Sequence, residues 1–321
     1  MTEADVRIYE VGPRDGLQAE RAVVPTEAKL RFIELLTEAG LREVEATSFV
    51  SPRAIPQLAD ADALMAQLQR RPGVRYPVLV PNARGMERAE GADVDAICLF
   101  TAATDAYAEH NIGMSVDGSL AAFAPVATAA RARGMWLRGY VSTAFGCPYT
   151  GEVDAAAVVS VSRRLLALGV DELAISDTVG AAGPADVRRV LGALVAAGIG
   201  PEVLACHFHD TRGTALANVM AAMELGVRCF DAATGGTGGS PYAPGAAGNL
   251  ATEDLVYLLD REGVRHGVDL DGVLRAARFI SRHLGRELSS KVGRAGGWPG
   301  TAASDTQRPE SASGASETPL G

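Results

Sequence analysis

WLRGYVS (136–142), AAAVVSVSRRLLAL (155–168), ELAIS (172–176), PADVRRVLGALVAA (184–197) and EVLACHF (202–208) follow one another with short links between them. Three of these are apolar runs of strand length. The other two repeat apolar residues at three- and four-residue spacing, as a helix with one buried face does. Strand, helix, strand, helix, strand predicts parallel pairing, because a parallel neighbour can be reached only by a crossover of a dozen or more residues. The alternation extends in both directions. Further strands are expected at 6–11, 41–49, 74–80, 94–100 and 228–232, and further helices at 25–38, 55–69, 116–133 and 214–225. Eight strands with their helices in about 250 residues predict an α/β fold, the (β/α)8 TIM barrel. An open doubly wound sheet fits less well, since no GxGxxG follows the first strand.

Two extra helices are expected at 253–261 and 270–284, closing or buttressing the barrel. From 293 the composition shifts to Gly, Ser, Ala, Thr and Pro, with Trp298 the one aromatic. Such a segment buries too little apolar surface to offset its ordering entropy. The expected division is a barrel domain over 1–292 and a disordered tail over 293–321.

Composition narrows the function. The 321 residues carry 30 Lys and Arg against 39 Asp and Glu, a net charge of −9, and the sequence pI is near 5.2. That balance argues against nucleic acid as a partner. No apolar run reaches membrane-spanning length and the N-terminus lacks a signal-peptide pattern, so no membrane partner is expected. Four widely spaced cysteines, Cys98, Cys147, Cys206 and Cys229, read as reduced thiols of a cytoplasmic protein.

A TIM barrel carries its chemistry at the C-terminal ends of its strands, and four polar clusters fall there. Arg14-Asp15-Gly16-Leu17-Gln18 follows the first strand; Asp15 suits a cation and Arg14 an oxyanion, although an ordinary surface turn has the same look. Glu45, near the end of the second strand, is an acceptor for the site or a charge buried against Arg14. Cys206-His207-Phe208-His209-Asp210 ends the seventh strand. Side chains two apart on a strand share a side, so His207 and His209 project together as a chelating pair. Asp210 is the expected residue to orient one imidazole. Finally, the Gly-rich run 235–248 follows the eighth strand and leads to Asn249, which offers a helix cap or an amide oxygen for a metal. Position at the barrel mouth favours a loop that closes on substrate over simple slack. Asp15, His207, His209 and Asn249 make a mixed nitrogen and oxygen set, suited to Mg²⁺ or Mn²⁺ and unlike a structural zinc site.

VGPRDGLQ (11–18), VEATSFVSPRAIPQLAD (44–60), RGYVSTAFGCPYTGEV (138–153), SDTVG (176–180), HFHDTRGTALAN (207–218) and GNLATEDLVYLL (248–259) resemble motifs of the hydroxymethylglutaryl-CoA lyase family, metal-dependent TIM-barrel lyases related to Claisen-type synthases. The resemblance spans about 6–292. It implies cleavage of 3-hydroxy-3-methylglutaryl-CoA, or a close analogue, to acetyl-CoA and acetoacetate or another keto acid. It implies a divalent metal cofactor on Asp15, His207, His209 and Asn249, and His207 or Asp15 as the base that removes the hydroxyl proton. Arg14 would stabilise the enolate oxygen, with Glu45 holding Arg14 and the metal ligands in place and Asp177 as a further supporting carboxylate. Gln18, Tyr140 and Ser142 would contact the acyl-CoA substrate, and a homodimer is the assembly the family suggests.

One position departs from the family pattern. Where the family carries a cysteine in the Gly-rich loop, this chain has Ser240. A thiol exchanges a proton near neutrality, whereas an unactivated hydroxyl does not. Cys147 lies nearest the mouth among the remaining thiols and reads as structural. Three readings follow: an acyl-CoA lyase, including a relative acting on citramalyl-CoA; a synthase, against which stands RDGLQ in place of RDGEQ; and a weakly active or non-catalytic acyl-CoA-binding barrel.

Overall fold

The computed structural model describes residues 5–239 and 247–298. Nine strands, β1 (Arg7–Glu10), β2 (Glu43–Val44), β3 (Thr47–Ser48), β4 (Val78–Leu79), β5 (Ala96–Ala102), β6 (Trp136–Ser142), β7 (Glu172–Asp177), β8 (Leu204–Phe208) and β9 (Cys229–Ala232), form one parallel sheet. Its order is β2-β1-β9-β8-β7-β6-β5-β4-β3. The two ends of that order are halves of one strand, parted only by Glu45 and Ala46. Glu45 N donates to Glu10 O at 2.8 Å on one side, and Ala46 N donates to Pro77 O at 2.9 Å on the other. The sheet therefore closes, and the barrel has the eight strands expected. The single strand expected at 41–49 is broken where it passes its hydrogen bonds from one neighbour to the next.

Strand alternation sorts the side chains. On β6, Leu137 and Val141 pack outward in the apolar layer under the helices. Arg138 and Tyr140 have the opposite parity and point into the barrel. The same parity puts Tyr9, Cys98, Ala174, Ala205 and Cys229 together in a small inner cluster. The pairing His207↔Asp231↔Tyr9 across β8, β9 and β1 continues that inner wall towards the mouth.

The outer layer holds α1 (Thr26–Glu38), α2 (Ala61–Gln67), α3 (Ala83–Gly91), α4 (Asp105–Ile112), α5 (Val116–Ala132), α6 (Ala155–Ala167), α7 (Pro184–Ala196) and α8 (Ala215–Glu224), followed by α9 (Thr252–Arg261), α10 (Leu270–Leu284) and α11 (Lys291–Ala295). The helix expected at 55–69 is split into a 3₁₀ turn, Pro56–Leu58, and α2. Between them Asp60 accepts from the buried Lys29 Nζ at 2.6 Å and from Thr26 Oγ1 at 2.8 Å, which fastens the segment to α1. Helices α3 and α4 were not expected, although each has a side-chain cap: Asn82 accepts from Gly85 N and Thr104 from Tyr107 N. Helix α11 crosses the boundary drawn after Val292 and carries regular structure to Ala295. Asp254 holds its start, accepting from Ser290 Oγ at 2.8 Å, Lys291 N at 3.1 Å and Val292 N at 2.7 Å. The rest of the expected tail, 299–321, lies outside the described residues. Among the described residues no single helix is long and apolar enough to cross a membrane.

Candidate active site

Immediately after β1 the chain makes one π-helical turn, Gly12–Gly16. Val11 O accepts from Arg14 N, Asp15 N and Gly16 N, at 3.2, 2.8 and 3.1 Å. Glu10, wholly buried, ties this turn to the loop after β9. Its Oε1 accepts from Gly12 N and Thr234 N, and its Oε2 from Thr234 Oγ1 and Thr252 Oγ1. Burial pushes the Glu10 carboxyl up, against those hydrogen bonds. The two loops touch closely: a Cβ on Gly16 would lie 2.3 Å from Thr237 Oγ1, so only glycine fits.

Arg14 is 6 % exposed and Glu45 fully enclosed. Arg14 Nε donates to Glu45 Oε1 at 2.6 Å, and Nη1 to Asp15 Oδ1 at 2.7 Å. Tyr140 OH donates to Glu45 Oε2 at 2.6 Å. The guanidinium also lies 5.6 Å from the centroid of the Tyr140 ring. Glu45 thus fixes both a cation and a phenol with its two oxygens.

Asp15, His207 and His209 each offer a ligand atom, all within 4.8 Å of one another. Asn249 completes the group, with Nδ2 donating to Asp15 Oδ2 at 2.8 Å and to Thr237 O at 3.1 Å. Gly238, at φ +100°, passes so close that a Cβ there would lie 2.7 Å from Asn249 Nδ2. Two buried polar atoms in this group have no hydrogen-bond partner among the described residues, the ring nitrogen His209 Nδ1 and the amide oxygen Asn249 Oδ1. Orphaned buried polar atoms of this kind are costly unless something satisfies them, and a cation held by lone pairs on this group would do so. Charge states suit one. Burial alone raises Asp15, but Arg14, His207, His209 and the Asn249 amide outweigh it and hold the carboxyl at about 2. Burial, with His207 adding to it, lowers His209 to about 3 and keeps the imidazole neutral, the form that ligates.

The remaining expected residues are distributed differently. Tyr140 lies in the cluster as described. Gln18 is half-buried just beyond the π turn, and Ser142 half-buried at the end of β6. Asp177 has the outward parity of β7, and its oxygens accept from Ala181 N and Ala182 N of the following loop. Burial raises it, and those N–H groups partly offset this. Ser240 lies outside the described residues. Asp210 does not orient an imidazole: it accepts from Ala215 N and pairs with Lys291. It stands past the end of β8, on the opposite phase from the two histidines. The carboxylate beside His207 is Asp231 of β9, with Oδ2 3.1 Å from Nδ1. Asp231, Arg138 and Glu10 were not singled out from the sequence, and their only signal was an ionisable residue within a buried strand.

The HMGL-like family model matches residues 5–280. The chain belongs to that family. Curated relatives include the mitochondrial hydroxymethylglutaryl-CoA lyase of Bos taurus, 46 % identical over 90 % of this chain and 89 % of that protein. The cytoplasmic 3-hydroxy-3-methylglutaryl-CoA lyase of Homo sapiens is 44 % identical over 90 % of this chain and 78 % of its own length. Among solved structures, hydroxymethylglutaryl-CoA lyase from Pseudomonas aeruginosa superimposes with a TM-score of 0.89 at 41 % identity, covering 91 % of this chain and 97 % of that one. An HMG-CoA lyase from Acinetobacter baumannii, solved with coenzyme A and 3-methylmalate, gives a TM-score of 0.88 at 37 % identity, covering 94 % and 99 %. The barrel and the family expected from the motifs agree with these likenesses.

Proposed function

We propose that the protein is a divalent-metal-dependent carbon–carbon lyase that cleaves 3-hydroxy-3-methylglutaryl-CoA to acetyl-CoA and acetoacetate. What carries the reading is the meeting, at one barrel mouth, of a buried arginine and a group able to hold a cation, two of whose buried polar atoms lack a partner among the described residues. Asp15, His209 and Asn249 would hold the ion, and His207 either completes the set or takes the substrate proton. The donor set, with no thiolate, fits Mg²⁺ or Mn²⁺. When bound, such an ion acidifies the tertiary hydroxyl of the substrate and orients its oxygens.

The residues then divide the work. The hydroxyl proton passes to His207 or Asp15; an Asp15 carboxyl held at about 2 is a poor acceptor, which favours His207. The C2–C3 bond breaks, its electron pair passes into the thioester as an enolate, and the former alkoxide carbon becomes the ketone. Among the described residues Arg14 Nε and Nη1 are engaged by Glu45 and Asp15, and Nη2 is the N–H group assigned to the enolate oxygen. Return of a proton to C2 falls to the Gly-rich loop, at Ser240 or a water beside it. Gln18 and Ser142 are assigned to substrate contact, and Asp177 to supporting the loop after β7. Four buried free cysteines suit the reducing cytoplasm, and a homodimer remains the proposed assembly.

The test is turnover by the purified protein with Mg²⁺ over a small panel of acyl-CoA esters. Release of acetyl-CoA and acetoacetate from hydroxymethylglutaryl-CoA is expected. Turnover of citramalyl-CoA alone would move the assignment to that relative, and ester binding without any turnover would favour a binding barrel.

A further inference from the structure

The reaction as derived leaves three buried charges on the inner wall unused, Glu172, Arg138 and Asp231. Arg138 of β6 has no exposed surface. Its Nη2 donates to Asp231 Oδ1 at 2.5 Å, its Nη1 to Tyr140 OH at 3.2 Å, and its Nε lies 3.1 Å from Glu172 Oε1. The guanidinium sits 3.7 Å from the centroid of the Tyr9 ring. Asp231 is 2 % exposed, and its second oxygen is the one that meets His207 Nδ1. Burying such an ion pair gains little stability against its desolvation, so its place in the wall calls for another explanation.

The chemistry of the contact supplies one. Asp231 is enclosed against the Arg138 guanidinium, with Oδ1 2.5 Å from Nη2, and that buried pairing holds it as a carboxylate. An ionised carboxylate only accepts hydrogen bonds, so His207 Nδ1 must carry the proton. In a neutral imidazole the lone pair is then on Nε2. We propose that Asp231, itself fixed by Arg138, is a positioning residue of the site: it locks His207 in the Nδ1–H tautomer and so presents the Nε2 lone pair to the ion or to the substrate proton. The chain Glu172–Arg138–Asp231–His207 thereby runs from deep in the barrel to its mouth. The use made of Nε2 rests on the function proposed above; the tautomer does not.

Protein labelled with ¹⁵N in its five histidines, stripped of metal and held above the ordinary imidazole range, reports the tautomer directly in a long-range ¹H–¹⁵N spectrum. His207→Gln identifies the resonance. Wild-type His207 is expected with Nδ1 protonated, and an Nε2–H form would overturn the proposal. Asp231→Asn, whose amide can also donate, is expected to shift the population towards Nε2–H and to weaken Mn²⁺ binding by about 10–100-fold in a titration. Asp231→Glu should recover part of both. If Asp231→Asn fails to fold, Arg138→Lys, which retains a cation beside the carboxylate, should retain the tautomer while Arg138→Met loses it. An unchanged tautomer with unchanged Mn²⁺ affinity in Asp231→Asn overturns the proposal. Absence of Mn²⁺ binding by the wild type would instead refute the metal site, leaving the tautomer result to stand by itself.

Discussion

Replacing Glu45 by glutamine exchanges one oxygen for an NH2 in a pocket that excludes water, with almost no change of shape. Two bonds are affected, from Arg14 Nε and from Tyr140 OH, both 2.6 Å long. Hydrogen bonds to a charged group contribute about 1.5–3 kcal/mol and neutral ones about 0.5–1.5; the Tyr140 bond becomes neutral and the Arg14 bond loses its anionic partner, a cost of roughly 1–3 kcal/mol in total. At 2–4 °C per kcal/mol the melting temperature should fall by about 2–12 °C. The new NH2 also cannot accept from the Tyr140 hydroxyl, which must turn. Arg14, left with Asp15 as its one carboxylate partner among the described residues, is then free to drift. Complete loss of an oxyanion donor costs about 10²–10³ in kcat. A donor that is present but loosened should cost roughly 10–100-fold, with KM changed by no more than about threefold, because the interaction is made mainly in the transition state. Steady-state kinetics of hydroxymethylglutaryl-CoA cleavage, read beside a thermal melt of the same preparation, decide the matter. A lowered melting temperature with kcat within about twofold of wild type would mean that Glu45 serves the fold alone and that Arg14 does not act on the enolate.

Saturating Mn²⁺ at 100 times its Kd should stabilise the protein by about 2.7 kcal/mol, visible as a thermal shift that His209→Ala abolishes. Glu253, almost completely buried, has its carboxyl raised by burial from 4.5 to about 7, against the pull of the Gly235 N–H. The folded state thus binds this proton more tightly than the unfolded chain, an advantage that is whole below 4.5 and lost as pH rises through about 7. Glu253→Gln, which cannot ionise, should match wild type near pH 4 and exceed it by roughly 3 kcal/mol near pH 8 in urea melts. Ser240→Cys should raise kcat if proton return limits turnover; unchanged or lower activity would place that step elsewhere. Asp254→Ala removes the three hydrogen bonds that Asp254 accepts at the start of α11 and should open the peptide bond after Lys291 to rapid tryptic cleavage, while the barrel itself resists.

Reading the strands from sequence succeeds here because parallel strands are covered on both faces and appear as short unbroken apolar runs; 136–142 coincides with β6 residue for residue. The break inside 41–49 leaves no such trace, because apolar pattern carries no information on which neighbour accepts each N–H. Arg14, Asp15 and His209 could be placed at the mouth since each closely follows the end of a strand, His207 since it is the last residue but one of β8, and Asn249 since it closes the Gly-rich loop after β9. Asp231 could not. Whether it or Asp210 meets His207 depends on the register between β8 and β9, a property of two segments and not of either. Helix α3 was hidden for a different reason: only Gly85, Met86 and Ala89 of its nine residues are buried, too few to set up a visible apolar stripe.

The π turn after β1 bears on how this chain can vary. A strand sends consecutive side chains to opposite faces, and an α-helical turn rotates them by about 100°. The wider turn at Gly12–Gly16 lets adjacent residues, Arg14 and Asp15, serve the same site, one towards an anion and one towards a cation. Its geometry depends on residue count as much as on residue type. Deleting a single position between Gly12 and Gly16 would remove no functional side chain if the proline were taken, yet it would tighten the turn and carry Asp15 away from His207 and His209. The loop at the end of the first strand is therefore closed to changes in length that most surface loops of a barrel accept.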